Sequence, residues 1–217
     1  MHDSLKIGAS ATARNDADAA HNREHFKTHG VKVINLIGSP GCGKTALLEA
    51  AAREMGETLA VIEGDIRTSL DADRVRNAGA RAVQIETGGE CHLLARQVGR
   101  ALHGLDLSGV RLAAIENVGN LVCPADYDLG EDMKVAVLSV AEGDEKPAKY
   151  PALFVRAGLL VLTKVDLLPY VTFSVDRVRA DCAKLNSAMR ILTTSCRTGE
   201  GVHELLSAFL AVENAGA

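Results

Sequence analysis

The sequence has no tryptophan and few other aromatic residues, with three tyrosines and four phenylalanines among 217 residues. Proteins that bind single-stranded nucleic acid by base stacking need aromatic platforms, and dedicated nucleic-acid binders carry an excess of basic residues. This chain has neither feature, because 24 lysines and arginines stand against 28 aspartates and glutamates, giving a net charge of −4. We therefore predict an aliphatic core and no nucleic-acid partner.

Long apolar runs are also absent. No stretch approaches the roughly 20 apolar residues that span a bilayer, and the polar first 32 residues lack the apolar segment of a secretory signal. The five cysteines are odd in number and widely spread, which is unlike a disulfide framework. These absences predict a cytoplasmic protein with reduced thiols and no membrane partner.

What the chain does contain is a regular alternation of short β-branched runs and amphipathic helical patterns, from residue 31 onward. This alternation predicts an α/β fold, a mostly parallel sheet of about seven strands with helices on both faces. We expect one domain over residues 21–217, preceded by a flexible tail over residues 1–20. The predicted strands are Val31–Ile37, Leu59–Ile62, Ala82–Ile85, Leu112–Ile115, Val135–Val140, Leu159–Leu162 and Ile191–Thr194.

A glycine-rich segment at residues 38–45 matches the phosphate-loop pattern GxxxxGK[ST], directly after a predicted strand and at the start of a predicted helix. Its glycines permit a tight turn whose N–H groups bind phosphate oxygens, aided by the helix dipole. We expect Lys44 to bridge the β- and γ-phosphates and the Thr45 hydroxyl to bind Mg²⁺. Cys42 is interpreted as a small filler. The predicted phosphate-binding residues are Gly38, Ser39, Pro40, Gly41, Cys42, Gly43, Lys44 and Thr45.

Two later segments indicate guanine. Thr163-Lys164-Val165-Asp166 resembles the NKxD motif of GTPases, in which the aspartate accepts two hydrogen bonds from guanine and the lysine stem covers the base. Adenine lacks that donor pair, so it would leave a desolvated carboxylate unpaired. Ser195-Cys196-Arg197 resembles the SAK loop that closes over guanine O6. Because Thr163 replaces the usual asparagine and Cys196-Arg197 replaces alanine-lysine, we expect GTP to be held more loosely.

Acidic residues end two of the predicted strands. Asp65 and Glu116 follow the second and fourth strands, where oxygen ligands would face Mg²⁺ and the phosphates. We predict Lys44, Asp65 and Glu116 as catalytic residues, with Asp65 positioning Mg²⁺ or water and Glu116 in the Walker-B position. The N–H of Gly119 is expected near the γ-phosphate. Hydrolysis should be slow, because no glutamine that could orient water follows Gly119 and no arginine finger is evident. A helix cap or solvated turn is the alternative for each acid.

Cysteine and histidine side chains suggest a second kind of site. Cys91 and His92 are adjacent at the entry to a predicted helix, and Cys123 follows closely after Glu116. Two thiolates and an imidazole suit Zn²⁺ or Ni²⁺. The spacing matches no closed structural zinc pattern, so buried thiols and a helix-capping histidine are the alternative. Cys182 falls on an apolar helical stripe and is expected in the core, whereas the histidines at 103 and 203 are expected in solvent.

Together these motifs resemble the hydrogenase nickel-incorporation GTPases, the HypB family, from about Asn22 to the last helix. The most specific matches are ENVGNLVCP at 116–124, EGDEKP at 142–147 and KVDLLPY at 164–170. The resemblance implies a P-loop GTPase domain that forms a homodimer on binding GTP. It also implies nickel delivery to [NiFe]-hydrogenase, with a maturation partner and the hydrogenase large subunit as partners. The metal site would comprise Cys91, His92 and Cys123 at the dimer interface.

The sequence also departs from the family pattern. Leu94 stands where many relatives have an acid, so the surroundings of the metal site are expected to differ. The N-terminal part lacks both the CxxCGC motif and the long histidine-rich stretch found in some relatives. Its histidines, at positions 2, 21, 25 and 29, are too dispersed to replace either, so we expect no high-affinity storage site there.

Other functions fit parts of the same sequence. A urease-type nickel GTPase usually has Cys-Pro-His together, unlike the separated residues here. An ATP-dependent small-molecule kinase would need an acceptor pocket and no NKxD-like element. A nucleotide-dependent interaction module without metal would leave the cysteines as ordinary thiols.

Overall fold

The computed structural model describes residues 3–65 and 70–212, and of residues 3–11 and Asp65 it describes the backbone only. Within these ranges seven strands form one sheet, in the order β3-β2-β4-β1-β5-β6-β7. Every strand pairing is parallel, as the sequence predicts. The strands are β1 (Lys32–Gly38), β2 (Leu59–Asp65), β3 (Arg81–Glu86), β4 (Leu112–Glu116), β5 (Met133–Ser139), β6 (Leu159–Thr163) and β7 (Arg190–Thr193).

Helices connect successive strands and cover both faces of the sheet. Short 3₁₀ turns, Gly56–Thr58 and Val165–Tyr170, follow α2 and β6. In the described ranges no helix is both long and apolar enough to cross a membrane. The α-helices are α1 (Asp3–Thr28), α2 (Lys44–Met55), α3 (Leu70–Asn77), α4 (Ala95–Leu102), α5 (Cys123–Asp126), α6 (Lys146–Lys149), α7 (Pro151–Arg156), α8 (Val175–Leu185) and α9 (Val202–Leu210).

The core lies on both faces of the sheet because side chains alternate along each buried strand. In β1, Ile34 and Leu36 pack with residues of α2 and α9. On the opposite face of β1, Val33 packs with α1 and α4, while Ile37 packs with α7 and α8. Most of these side chains are Val, Leu, Ile and Ala, as the scarcity of aromatic residues predicts.

The parallel topology brings the functional segments to one edge. The carboxyl ends of parallel strands lie at the same side of a sheet, and ligands of open α/β sheets bind there. The central strand β1 leads into the phosphate loop, its neighbour β4 ends at Glu116, and β6 ends at Thr163. The segment after β7 begins with Thr194 and Ser195, both fully buried.

Helix α1 differs from the expected flexible tail over residues 1–20. It runs from Asp3 to Thr28 as one helix, and Asn15 is only 5% exposed. The Asn15 amide donates to the carbonyl of Asp128 at 2.8 Å, while its oxygen accepts from the backbone N–H of Ala95 at 2.9 Å. These polar contacts hold residues upstream of position 21 against the domain. The helix is therefore part of the packed structure from Asn15 onward.

Candidate nucleotide and metal site

The phosphate loop joins β1 to α2 and borders a cavity of about 480 Å³. Gly41 and Gly43 have φ angles of +73° and +104°, which side chains rarely tolerate, so the loop requires glycine at both positions. Lys44 opens α2 and is 6% exposed. Its ammonium group donates to the carbonyl of Gly38 at 3.3 Å. The lysine thus lies folded over its own loop, where phosphate oxygens would replace a carbonyl as its acceptor.

Thr45 and Glu116 meet on the floor of this cavity. The Thr45 hydroxyl donates to Oε1 of Glu116 at 2.9 Å. Burial raises the pKa of Glu116 to about 7, against the opposing influence of Lys44 and the Thr45 hydrogen bond. Among the residues described, Oε2 of Glu116 has no hydrogen-bond partner. A desolvated carboxylate beside a hydroxyl is an oxygen donor set that suits a hard cation, so the residues fit Mg²⁺.

The cavity is also lined by an acid to which the sequence assigned no role. Glu63, in β2, is 2% exposed and lines the same cavity as the phosphate loop. The signal was an acid inside an otherwise apolar strand, two positions before Asp65. The backbone of Asp65 ends β2, but its side chain lies outside the described residues, so its catalytic role stays a prediction.

Gly119 contacts the phosphate loop directly. A Cβ atom at this position would lie 2.8 Å from Cγ, 2.9 Å from N and 3.0 Å from Cα of Pro40. Gly119 therefore has to be glycine because of its neighbour. This contact places the segment after β4 against the loop that would hold the phosphates.

Thr163 ties the predicted base-binding loop to the phosphate loop. Its hydroxyl donates to the carbonyl of Cys42 at 2.5 Å, within the buried interior. The looser hold expected from replacing asparagine by Thr163 is thus not supported at this contact, because the shorter hydroxyl side chain reaches the same loop. Lys164 has a φ angle of +59° and donates from Nζ to the carbonyl of Gly41 at 2.7 Å. Its stem accordingly lies beside the cavity.

The carboxylate of Asp166 accepts hydrogen bonds on both oxygens. Ser195 Oγ donates to Oδ1 at 2.6 Å, and Arg197 Nε donates to Oδ2 at 2.7 Å. These bonds, that from Ser195 first, lower the pKa of Asp166. The motif pair TKVD and SCR is therefore joined in space as the sequence predicts. The Arg197 guanidinium donates to an oxygen that guanine is expected to use, and because this side chain is largely exposed it is free to move when a base binds.

The remaining cysteines behave as the sequence indicates. Cys42 is fully buried within the phosphate loop, and burial raises the pKa of its thiol to about 11, which makes it an inert filler. Cys182 is 1% exposed in the core. Cys196 is half-buried beside the guanine-binding segment. His203 is in solvent, as predicted.

The structure brings Cys91, His92 and Cys123 together. One ligand atom from each lies within 4.8 Å of the others, an arrangement that could hold a metal ion. The ring of His92 stacks on Tyr127, with centroids 4.0 Å apart. Burial lowers the pKa of His92, which favours the neutral ligating form. Tyr127 was missed in the sequence, because nothing local distinguishes it from other tyrosines.

Asn117 connects the loop that carries Cys91 and His92, here called the metal loop, to the segment that lines the phosphate-binding cavity. This buried residue directly follows Glu116, and its side-chain oxygen accepts from the backbone N–H of Leu93 at 3.2 Å and of Val118 at 3.0 Å. Its amide donates to Asn35 at 3.3 Å, in the central strand β1. One side chain thus bridges the residue after His92 and the segment leading to Gly119. The only indication of Asn117 in the sequence was an amide side chain directly after a strand predicted to be buried.

Comparison with known proteins agrees with this arrangement. A family model described as "CobW/HypB/UreG, nucleotide-binding domain" matches residues 32–193. The hydrogenase maturation factor HypB of Rhizobium leguminosarum bv. viciae is 47% identical over 213 residues, covering 97% of this chain and 71% of that protein. HypB of Escherichia coli (strain K12) is 44% identical over 205 residues, covering 94% of this chain and 71% of that protein.

A solved structure, of HypB from Helicobacter pylori in complex with nickel, superimposes with a TM-score of 0.87 at 38% identity. The match covers 91% of this chain and 94% of that one. The phosphate loop and the Cys-His-Cys cluster lie within the residues that the family model matches. The chain belongs to the HypB family of hydrogenase maturation factors.

Proposed function

We propose that this chain hydrolyses GTP to GDP and phosphate and couples that cycle to nickel binding during [NiFe]-hydrogenase maturation. The observation that carries the proposal is the convergence of Cys91, His92 and Cys123 within 4.8 Å, with Cys123 four residues after Gly119, which lines the phosphate-binding cavity. The nickel complex of the H. pylori relative supports nickel as the cargo. The names of the Rhizobium and E. coli relatives favour hydrogenase maturation over the kinase alternative. The separation of Cys91-His92 from Cys123 is unlike the Cys-Pro-His of the urease-type alternative.

At the phosphate end, the chain's own residues bind and orient the nucleotide. The loop N–H groups and Lys44 would bind the β- and γ-phosphates, and Thr45 and Glu116 would hold Mg²⁺, which neutralises phosphate charge when bound. Asp65 is the candidate for orienting water, with the N–H of Gly119 near the γ-phosphate. Because the described residues include no further side chain assigned to activate water, intrinsic hydrolysis is expected to be slow.

At the base end, Asp166 would accept two hydrogen bonds from guanine, and the Lys164 stem would cover the ring. Both carboxylate oxygens are already directed by Ser195 and Arg197. Adenine offers no donor pair to replace Arg197, so it would leave the carboxylate desolvated. Guanine selectivity would thus follow from Asp166, whose hydrogen bond from Arg197 can be exchanged for one from the base.

At the metal end, two thiolates and a neutral imidazole would bind Ni²⁺ or Zn²⁺ as cargo. A hydrogen bond shared with Cys123, followed by partial desolvation, raises the pKa of the Cys91 thiol. The metal would therefore displace thiol protons on binding, which makes uptake dependent on pH.

The two ends are joined by a short path. Cys123 follows Gly119 by four residues, and Asn117 binds the metal loop through Leu93. Movement of Gly119 against Pro40 on nucleotide exchange would be transmitted to both sides of the metal cluster. Such a shift between two loop arrangements would change metal affinity.

We expect a homodimer to form with GTP, through the face that bears the metal cluster, and to contact a maturation partner and the hydrogenase large subunit. Lys44→Ala should abolish the GTP-dependent increase in size, because the lysine is the main cation of the phosphate site. Size-exclusion chromatography with light scattering checks this. A GTP-dependent dimer that persists in the variant would show that dimerisation has another cause.

The decisive experiment is a Ni²⁺ and Zn²⁺ titration of the nucleotide-free, GDP and non-hydrolysable GTP states. Cys91→Ala, His92→Ala and Cys123→Ala should each weaken metal binding at least tenfold while GTP still binds. His203→Ala, at a side chain in solvent, is the matched control and should change nothing. Unchanged affinity in all three variants, or equal affinity in every nucleotide state of the wild type, would contradict the proposal.

A further inference from the structure

A second group of histidines lies in the groove between α1 and α4. His21 and His25 come from α1, and His103 is the residue that caps the C-terminus of α4. Together with Asp18 they line a cavity of about 220 Å³. None of these residues belongs to the nucleotide site or to the Cys-His-Cys cluster.

The length of α1 creates this group. Residues three and four apart on a helix lie on the same face, so Asp18, His21 and His25 form one stripe. Histidines at positions i and i+4 of a helix are the spacing with which helical zinc sites hold their metal. The sequence alone shows these histidines as dispersed; the continuous helix aligns them, and the packing of α4 adds His103 from the opposite wall.

His25 is the half-buried member of this group. Burial, and then the proximity of His29, His21 and His103, lowers the pKa of His25. That side chain therefore presents lone pairs rather than a positive charge. The Nδ1 atom of His29, one turn further along, lies 2.8 Å from the carbonyl of His25. The stripe thus offers imidazole nitrogens together with one carboxylate.

We propose that His21, His25 and His103, with Asp18, form a second and weaker site for Ni²⁺ or Zn²⁺. Imidazole nitrogen with a carboxylate oxygen suits these borderline cations. Arg96 and Arg100 line the same groove, and their positive charge lowers its affinity for a dication below that of the thiolate site. The proposal concerns a separate site and does not depend on GTP hydrolysis.

Closure of this site would require rotation of the His21 and His103 side chains. Within the described residues, the Cys91-His92-Cys123 cluster is the only group of three or more ligand residues with atoms inside 4.8 Å, so the groove is open without a metal. His21 and His103 are exposed, and exposed side chains change rotamer freely. A bound ion would hold both against the half-buried His25.

The groove also adjoins the metal cluster. Asp18 and Arg96 line a neighbouring cavity of about 310 Å³ that contains His92 and Tyr127. An ion held by the histidines would thus lie in the cavity next to the one that His92 of the Cys-His-Cys cluster lines. This continuity makes the groove a place where metal could be retained before it reaches the thiolates.

The test is equilibrium dialysis of Ni²⁺ against the full chain. The wild type should bind two ions, and His21→Ala/His25→Ala should retain only the tighter one, with at least a tenfold loss of the weaker. Cys91→Ala/Cys123→Ala should retain only the weaker ion, which lacks thiolate-to-nickel charge-transfer absorption. His203→Ala serves as the matched control, and circular dichroism with GTP binding confirms folding.

A second measurement identifies the residues. In Cys91→Ala/Cys123→Ala, Zn²⁺ should shift the imidazole proton resonances of His25 and His103 together. A single ion in the wild type, two ions retained by His21→Ala/His25→Ala, or unshifted resonances would each overturn the proposal. Retention of the tight ion in the cysteine variant would contradict only the Cys-His-Cys function, so the two failures are distinguishable.

Discussion

At the residue scale, base selection rests on one carboxylate. Asp166 holds Ser195 on one oxygen and Arg197 on the other, so the group is oriented and ionised before a base arrives. Guanine can replace the exposed arginine with its own donors, whereas adenine cannot. The departure from the usual SAK sequence therefore supplies a displaceable cation at the point where the base must bind.

Asp166→Asn should lower GTP affinity about 100-fold or more, because a buried donor–acceptor mismatch excludes the base. The same change should raise affinity for xanthosine triphosphate, whose carbonyl at position 2 accepts from the new amide. Competition binding with fluorescent nucleotides measures both. Asp176→Asn, at an exposed position of α8, is the control. GTP affinity equal in the two variants would refute the assignment.

Acid titration should show the effect of Arg197. The pKa of Asp166 is lowered in the folded state, so its contribution to stability is complete above the ordinary value of 3.8 and is lost as pH falls through the lower folded value. Because GDP binding uses the same ionised carboxylate, the affinity for GDP should stay constant as the pH is lowered to about 5. Arg197→Ala should raise the pH at which GDP affinity begins to fall, since the carboxylate loses one of the two hydrogen bonds that stabilise its ionised form. Coincident pH profiles would contradict this.

At the element scale, α1 is fixed to the domain by buried amides. Asn22 is 1% exposed, and its amide donates to the carbonyls of Ala95 at 2.8 Å and Leu129 at 3.0 Å. A Cβ atom on Gly99 of α4 would lie 2.8 Å from the oxygen of Asn22, so the two helices meet closely at a glycine. The helix thus closes one side of the sheet and builds the histidine groove.

Asn22→Ala should lower the free energy of unfolding by about 1–3 kcal/mol, because two buried carbonyls lose their donor. Urea denaturation followed by circular dichroism measures the change. Glu24→Ala, at an exposed position of the same helix, should stay within about 0.5 kcal/mol of the wild type. Equal stability of both variants would mean that α1 contributes little to the fold.

The sequence predicts some of these elements far better than others. The seven strands and the phosphate loop were predictable because hydrophobic periodicity and the GxxxxGK[ST] spacing are local. The packing of α1 was not, since Asn15 and Asn22 bind carbonyls 113 and 73 positions away. The Cys-His-Cys cluster was suggested by resemblance rather than by spacing. Asn117 had no local signal beyond its buried context, because its role depends on Leu93 from another loop.

At the scale of the whole molecule, Asn117 is the shared contact between the two chemistries. Its oxygen binds the backbone after His92, and its own backbone follows Glu116. A buried side chain that accepts two N–H groups leaves little freedom for either segment to move alone. Nucleotide state and metal affinity should therefore change together.

Asn117→Ala should reduce the difference in Ni²⁺ affinity between the GDP and GTP-analogue states to within about twofold. Asn117→Asp keeps the oxygen that accepts from Leu93 and should retain more of the difference, although it loses the donor to Asn35. Nickel titrations in both states, with thermal denaturation as the folding control, measure this. A full difference in folded Asn117→Ala would place the coupling elsewhere.

The tight contact of Gly119 with Pro40 carries a consequence for any chain that lacks it. The backbone of Gly119 is not among those with positive φ, so alanine is conformationally acceptable there and only the facing proline forbids it. One added methyl group would act as a wedge that holds the two loops apart. Such a molecule would still fold, bind guanine and bind a metal ion, yet the affinity for each ligand would be independent of whether the other is bound.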